Sequence, residues 1–127
     1  MALVRIDYCN QRDKFPSQEF GQIAARVVNN VMAQILNVPM SENYVVEQSH
    51  AKQDLLHNPE NVSPERLASI VFIQITLNAG RSPELKTTFY DELTKALGKA
   101  LDVTSADVFI NLVEVAKENW SFGRAAA

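Results

Sequence analysis

Between Leu3 and Tyr8, Val4, Ile6 and Tyr8 alternate with Leu3, Arg5 and Asp7, and a period of two predicts a strand close to the start of the chain. A polar stretch with Arg12, Asp13 and Pro16 follows, and the period then becomes helical. From a capping Ser17, the residues Phe20, Ile23, Ala24, Val27, Val28, Val31, Met32 and Ile35 fall on one stripe, ending near Leu36 ahead of Pro39. Tyr44 to Gln48 reads as a short second strand. Ser49 to Arg66, polar and carrying Pro59, Pro64 and both histidines, reads as a long excursion or an irregular hairpin. Ile70 to Leu77 is rich in β-branched residues and apolar on both faces at its start, which predicts a third, central strand. Asn78-Ala79-Gly80-Arg81 is a turn. Ser82-Pro83-Glu84 then opens a second helix, with a capping serine, proline at the first helical position and an acid in the first turn. Its buried stripe is Leu85, Phe89, Leu93, Ala96, Leu97 and Ala100. Val108 to Val113 predicts a fourth strand, and a tail with Trp120 and Phe122 follows.

The two halves repeat. Ser17 and Ser82, Leu36 and Leu101, Val38 and Val103, and Glu42 and Asp107 are each 65 positions apart. We therefore expect one domain, residues 1–127, made of pseudo-repeat halves at about 2–50 and 67–115 with a C-terminal tail at 116–127. The fold class is α+β: two tandem β-α-β units form a four-stranded sheet, and right-handed crossovers put both helices on one face. The opposite face, with Leu3, Phe72, Phe109 and Val113, is then more apolar than a monomer comfortably exposes, which predicts an oligomer. The order β-α-β-β-α-β also fits a ferredoxin-like sheet, and periodicity alone does not separate the two.

Composition narrows the classes. The 127 residues are 46% hydrophobic and 21% charged, the profile of an ordinary folded domain. A net charge of −3 without a Lys/Arg cluster, and strands lacking an aromatic RNA-binding run, argue against nucleic acid as a partner. Charge at Arg5 and Asp7 interrupts any export signal, and no segment approaches a membrane span, so neither export nor a membrane is expected. Cys9, the single cysteine, permits no internal disulfide and fits a cytoplasmic setting; it reads as inert. His50 and His57 have no acid or thiol at ligand spacing, so no metal is expected and both read as surface residues. Tyr8 and Tyr44 read as interface packing. Taken alone, Arg81 suits a solvated turn or an intersubunit ion pair, and Glu42, matched by Asp107, suits a structural role equally well.

Several segments together resemble the tautomerase superfamily, in particular its malonate semialdehyde decarboxylase-like subgroup. They are the strand beginning at position 2, Asn37-Val38-Pro39 with Glu42-Asn43-Tyr44, the run Leu77-Asn78-Ala79-Gly80-Arg81-Ser82 with Lys86, and Trp120-Ser121-Phe122-Gly123-Arg124. The resemblance implies paired β-α-β units in a homotrimer that acts on a small carboxylate without a cofactor. It also implies an N-terminal proline, exposed once the initiator methionine is removed, serving as general base or acid. Here that position is Ala2. With Met1 removed, Ala2 presents a primary amine; with Met1 retained, the amine is displaced by about 3.3–3.6 Å along the strand. By the same resemblance, Arg81 binds the substrate carboxylate, Glu42 assists the terminal amine, and Trp120 and Phe122 wall the site. The decarboxylase's second arginine is Ala79 here, which argues against that particular reaction, and Arg12 is the candidate replacement charge. The implied function is a slow keto–enol isomerase, or a related hydratase or decarboxylase, acting on a small enol or unsaturated carboxylate. The alternative is a non-catalytic trimer that binds a small anion or a partner.

Overall fold

The computed structural model describes residues 1–9, 19–55 and 69–123. Strand β1 (Ala2–Cys9) is followed by helix α1 (Glu19–Leu36) and β2 (Asn43–His50), then by β3 (Val71–Asn78), helix α2 (Pro83–Leu101) and β4 (Val108–Val115). β1, β2 and β4 run one or two residues beyond the alternation that predicts them, because backbone pairing with a neighbour continues where side-chain patterning has stopped, and β3 is shifted by one residue from the predicted Ile70–Leu77. Ser17, Arg12, His57 and Arg124 lie outside the described residues.

The sheet order is β2-β1-β3-β4. β1 pairs with β2 in parallel and with β3 antiparallel, and β3 pairs with β4 in parallel. Each β-α-β unit thus forms one parallel pair, and the two units meet at the central β1–β3 seam. The third strand is interior, as its composition predicts. The alternate residues Val4, Ile6, Ile73, Ile75 and Leu77 point under the helices and are essentially fully buried. Phe20, Ala24, Val28 and Met32 of α1, with Phe89, Leu93 and Leu97 of α2, close over them.

Both helices end on the same device. Asn37 and Asp102 each adopt φ of +56°, a left-handed conformation that Asn and Asp tolerate better than most residues. Each is followed by an extended segment and a single 3-10 turn, Met40–Glu42 in the first half and Ser105–Asp107 in the second. α2 opens as its residues predict, with Pro83 in the first turn and the Leu85 N–H donating to Ser82 Oγ at 3.1 Å.

The sheet face away from the helices carries Leu3, Tyr44, Val46, Phe72 and Phe109, all substantially exposed. Phe72 stacks on Phe109 with ring centroids 5.5 Å apart. Tyr44 is exposed on this face. Tyr8 is not: it is 2% exposed and lies under α1 against Phe20. The alternation that makes β1 a strand puts Tyr8 on the Val4–Ile6 side, and that side is the core.

Candidate active site

One end of the sheet collects the starts of β1 and β2 and the ends of β3 and β4. Register sets Asn43, Ala2, Leu77 and Glu114 in one row across the four strands. Ala2 is fully buried in that row. Met1, one residue further out, follows the antiparallel register toward Asn78. Its ammonium lies 3.4 Å from Glu42 Oε2, at the close of the 3-10 turn that leads into β2. The chain start and Glu42, 41 residues apart in sequence, are therefore direct neighbours.

Arg81 crosses to the same place from the turn after β3. Its Nε and Nη2 both donate to the Leu36 carbonyl, at 3.2 and 2.9 Å, and Nη1 donates to the Asn78 carbonyl at 3.0 Å. The guanidinium thus caps the C-terminus of α1, where the exposed carbonyls and the helix dipole favour a cation. It is therefore not a freely solvated turn residue. Of its five N–H groups, three are committed to backbone, which leaves one on each terminal nitrogen, enough to receive a carboxylate end-on. Gly80, at φ +135°, provides the turn that aims this arginine back across the sheet end.

Trp120 and Phe122 come to the same end through the 3-10 turn Lys117–Asn119 that follows β4. Their rings stack nearly parallel, 6.2 Å apart. The indole Nε1–H donates to Asn78 Oδ1 at 2.6 Å. Asn78 therefore touches Trp120 with its side chain and Arg81 with its backbone, a role the sequence did not suggest because a lone Asn before a turn reads as turn chemistry. On the helix side, Lys86 is bonded to Glu114, whose other oxygen accepts from the Gly80 N–H at 3.4 Å. The Lys86 hydrogen bond is the main cause holding the Glu114 carboxyl below its usual range. Ala79, at the position of the decarboxylase's second arginine by the resemblance, donates its N–H to the Val115 carbonyl. Of the six candidates from sequence, Ala2, Glu42, Arg81, Trp120 and Phe122 belong to this end, and Arg12 lies outside the described residues.

Two further polar clusters lie elsewhere. On the bare face, Arg5 makes a two-point contact with Asp7 and reaches Gln48, while His50 meets Asp7 at 2.7 Å. His50 is thus partnered across the strands rather than a free surface group. Burial alone would raise the Asp7 carboxyl, but the His50 and Arg5 hydrogen bonds and charges outweigh it and hold it below its ordinary value. Under α1, the Tyr8 hydroxyl donates to Glu47 at 2.5 Å. Desolvation, and then the neighbouring Glu47 carboxylate, push the Tyr8 phenol well above its ordinary value. Gly21 admits this pair against the first turn of α1, where a Cβ would collide with both side chains. Among the described residues, no group of three His, Cys, Asp or Glu side chains converges as metal ligands would, and no helix is long and apolar enough to cross a membrane.

A family model described as tautomerase enzyme matches residues 42–123, from Glu42 through Trp120 and Phe122. The chain belongs to the tautomerase family. A probable tautomerase of Bacillus subtilis, YusQ, is 29% identical over 111 residues, covering 87% of each chain. A malonate semialdehyde decarboxylase inhibited by 3-bromopropiolate superposes with TM-score 0.80 at 28% identity, covering 98% of this chain and 91% of that one. A fused 4-OT, solved as a symmetric trimer, superposes with TM-score 0.78 at 19% identity, covering 98% and 94%, and shows the shared fold. Tautomerase membership agrees with the paired β-α-β units and with the segments that carry the resemblance in sequence.

Proposed function

We propose that this tautomerase-family chain is a keto–enol isomerase acting on a small enol or unsaturated monocarboxylate. The observation that carries this reading is the convergence of the chain start, Glu42 and Arg81 on one end of the sheet. With Met1 removed, the Ala2 amine begins the buried strand, one residue in from the point where the Met1 ammonium meets Glu42. A terminal amine exchanges protons close to neutral pH, which suits it to general acid–base work. Arg81 holds the substrate carboxylate with its two remaining N–H groups, Glu42 assists the amine, and Trp120 and Phe122 exclude water from one side. In ketonisation of enolpyruvate, the ammonium gives a proton to the terminal carbon, the enol O–H loses its proton to water, and the carbonyl forms. A primary amine replaces the family's proline and one arginine does the work of two, so turnover is slow.

The same reading takes the protein to be a cytoplasmic homotrimer. Its support is the bare apolar face, with a groove between Arg5, Phe72 and Phe109, together with the trimeric state of the fused 4-OT. The test is enolpyruvate ketonisation by protein whose start at Ala2 is established by intact mass, with Arg81→Ala beside it. Turnover that falls by about 10²-fold in kcat/KM in the variant supports the reading; a rate unchanged by the variant overturns it. The commitment of Arg81 to the Leu36 and Asn78 carbonyls favours a second reading, a trimer that binds a small anion without turning it over. That reading requires Arg81-dependent binding of a carboxylate by protein that starts at Ala2 and shows no turnover.

A further inference from the structure

Arg81 answers the substrate carboxylate and the amine answers the carbon, but the oxygen at which the enol becomes a ketone needs a hydrogen-bond donor of its own. We infer that this donor is the side-chain amide of Asn78, an inference that rests on the isomerase reading.

Three observations carry it. First, the indole N–H of Trp120 can only donate, and it meets Asn78 Oδ1 at 2.6 Å. That contact fixes which amide atom is oxygen and turns the NH2 group away from the indole. Second, the Asn78 NH2 makes no hydrogen bond to any described residue and is not among the buried polar atoms left without a partner, so it is a donor open to solvent and to a ligand. Third, Asn78 stands at the end of β3, where the register pairing Ala2 with Leu77 brings the chain start alongside it, and its own carbonyl holds Arg81 Nη1 at 3.0 Å. Asn78 thus adjoins the chain start by register, holds the arginine through its carbonyl, and offers two amide N–H groups to a ligand that bridges the two. A 2-oxo or 2-enol acid has that shape, with its carboxylate on Arg81, its C2 oxygen on Asn78 and its C3 carbon toward the amine. During ketonisation the enol O–H proton leaves to water, the Asn78 N–H meets the negative charge on the resulting enolate oxygen at C2, and the C3–H bond then forms with the proton from the ammonium as that oxygen becomes the neutral carbonyl.

The test uses the full chain starting at Ala2 and the variant Asn78→Asp, which keeps an acceptor for the indole but removes the donor. Trp120 is the only tryptophan, so its emission reports directly on whether the ring has moved. We expect an unchanged emission maximum and a kcat for enolpyruvate ketonisation lower by about 10²- to 10³-fold. A second arm needs no turnover: pyruvate and propionate, which share a carboxylate but differ at the C2 oxygen, are titrated against Trp120 fluorescence. Wild type should prefer pyruvate by about tenfold or more, the discrimination expected of one directed hydrogen bond, and Asn78→Asp should lose that preference. Equal binding of the two acids by wild type, or a kcat within about twofold of wild type in the variant, overturns the role of Asn78 and leaves the Arg81 reading intact. Failure of wild type to bind either acid overturns both.

Discussion

The two ends of the sheet are built by the same repeat and differ in what the chain does there. At one end, α1 finishes at Leu36 with Asn37 left-handed, a 3-10 turn closes on Glu42, and the partner strand starts at Ala2. At the other, α2 finishes at Leu101 with Asp102 left-handed, a 3-10 turn closes on Asp107, and the equivalent strand starts at Val71. The backbone device is common. The acid is exposed and faces an ammonium in the first case, whereas Asp107 is 8% exposed and accepts from the Thr104 hydroxyl at 3.0 Å in the second. β1 starts the chain, but Val71 is reached through Ile70, which is buried, so no amine exists there. A duplicated fold therefore supplies two structurally equivalent corners, and the proposed function places chemistry at only one, because a chain has a single N-terminus.

The largest effect expected from breaking this difference comes from the chain start itself. Protein that retains Met1 should lose about 10²-fold or more in kcat relative to protein that starts at Ala2, since the amine moves one residue along the strand. Ketonisation rates of the two species, separated and identified by intact mass, check this. Next is Gly21→Ala, which forces a Cβ into Glu47 and Tyr8 and should cost about 2 kcal/mol in urea denaturation. Gly98→Ala, whose Cβ would meet only the Val103 carbonyl at 3.2 Å, should stay within about 1 kcal/mol of wild type, since the better helix propensity of alanine offsets the tight contact. Glu42→Gln should lower kcat/KM about tenfold, while Asp107→Asn at the counterpart corner should leave turnover unchanged; equal losses would show that the two corners are not functionally distinct.

The smallest effect is a pH dependence. Tyr8 has a folded-state value raised above its unfolded value, so its contribution to stability is complete below about pH 10 and is lost as pH rises beyond it, by about 1.4 kcal/mol per pH unit. Wild type should therefore lose stability between pH 10 and 11 more steeply than Tyr8→Phe, with both followed by urea denaturation. Parallel slopes would remove the case for a coupled Tyr8–Glu47 pair.

The elements and their order were legible because each rests on local chemistry. The alternation of Val4, Ile6 and Tyr8, the Ser82-Pro83-Glu84 start and the 65-residue repeat express strand pleat, helix capping and duplication, none of which needs distant contacts. The candidate site was legible in part. Arg81 and Trp120 stand out by residue type and by family resemblance, but nothing local says that Arg81 caps the other half's helix or that Trp120 turns to Asn78, 42 residues away. Tyr8 was assigned to an interface for the same reason: alternation tells which residues share a face, and only packing tells which face the helices cover.

By itself, the sequence determined the two β-α-β units, their repetition, the alanine at the start of the first strand and the family, because hydrophobic period, capping residues and motif identity are written locally. The tertiary structure alone decided that Met1 meets Glu42, that three of the Arg81 N–H groups are spent on backbone carbonyls, and that Asn78 accepts from both Arg81 and the Trp120 indole. Those contacts are set by strand register and by the antiparallel seam between the halves, which bring together residues that no local pattern links.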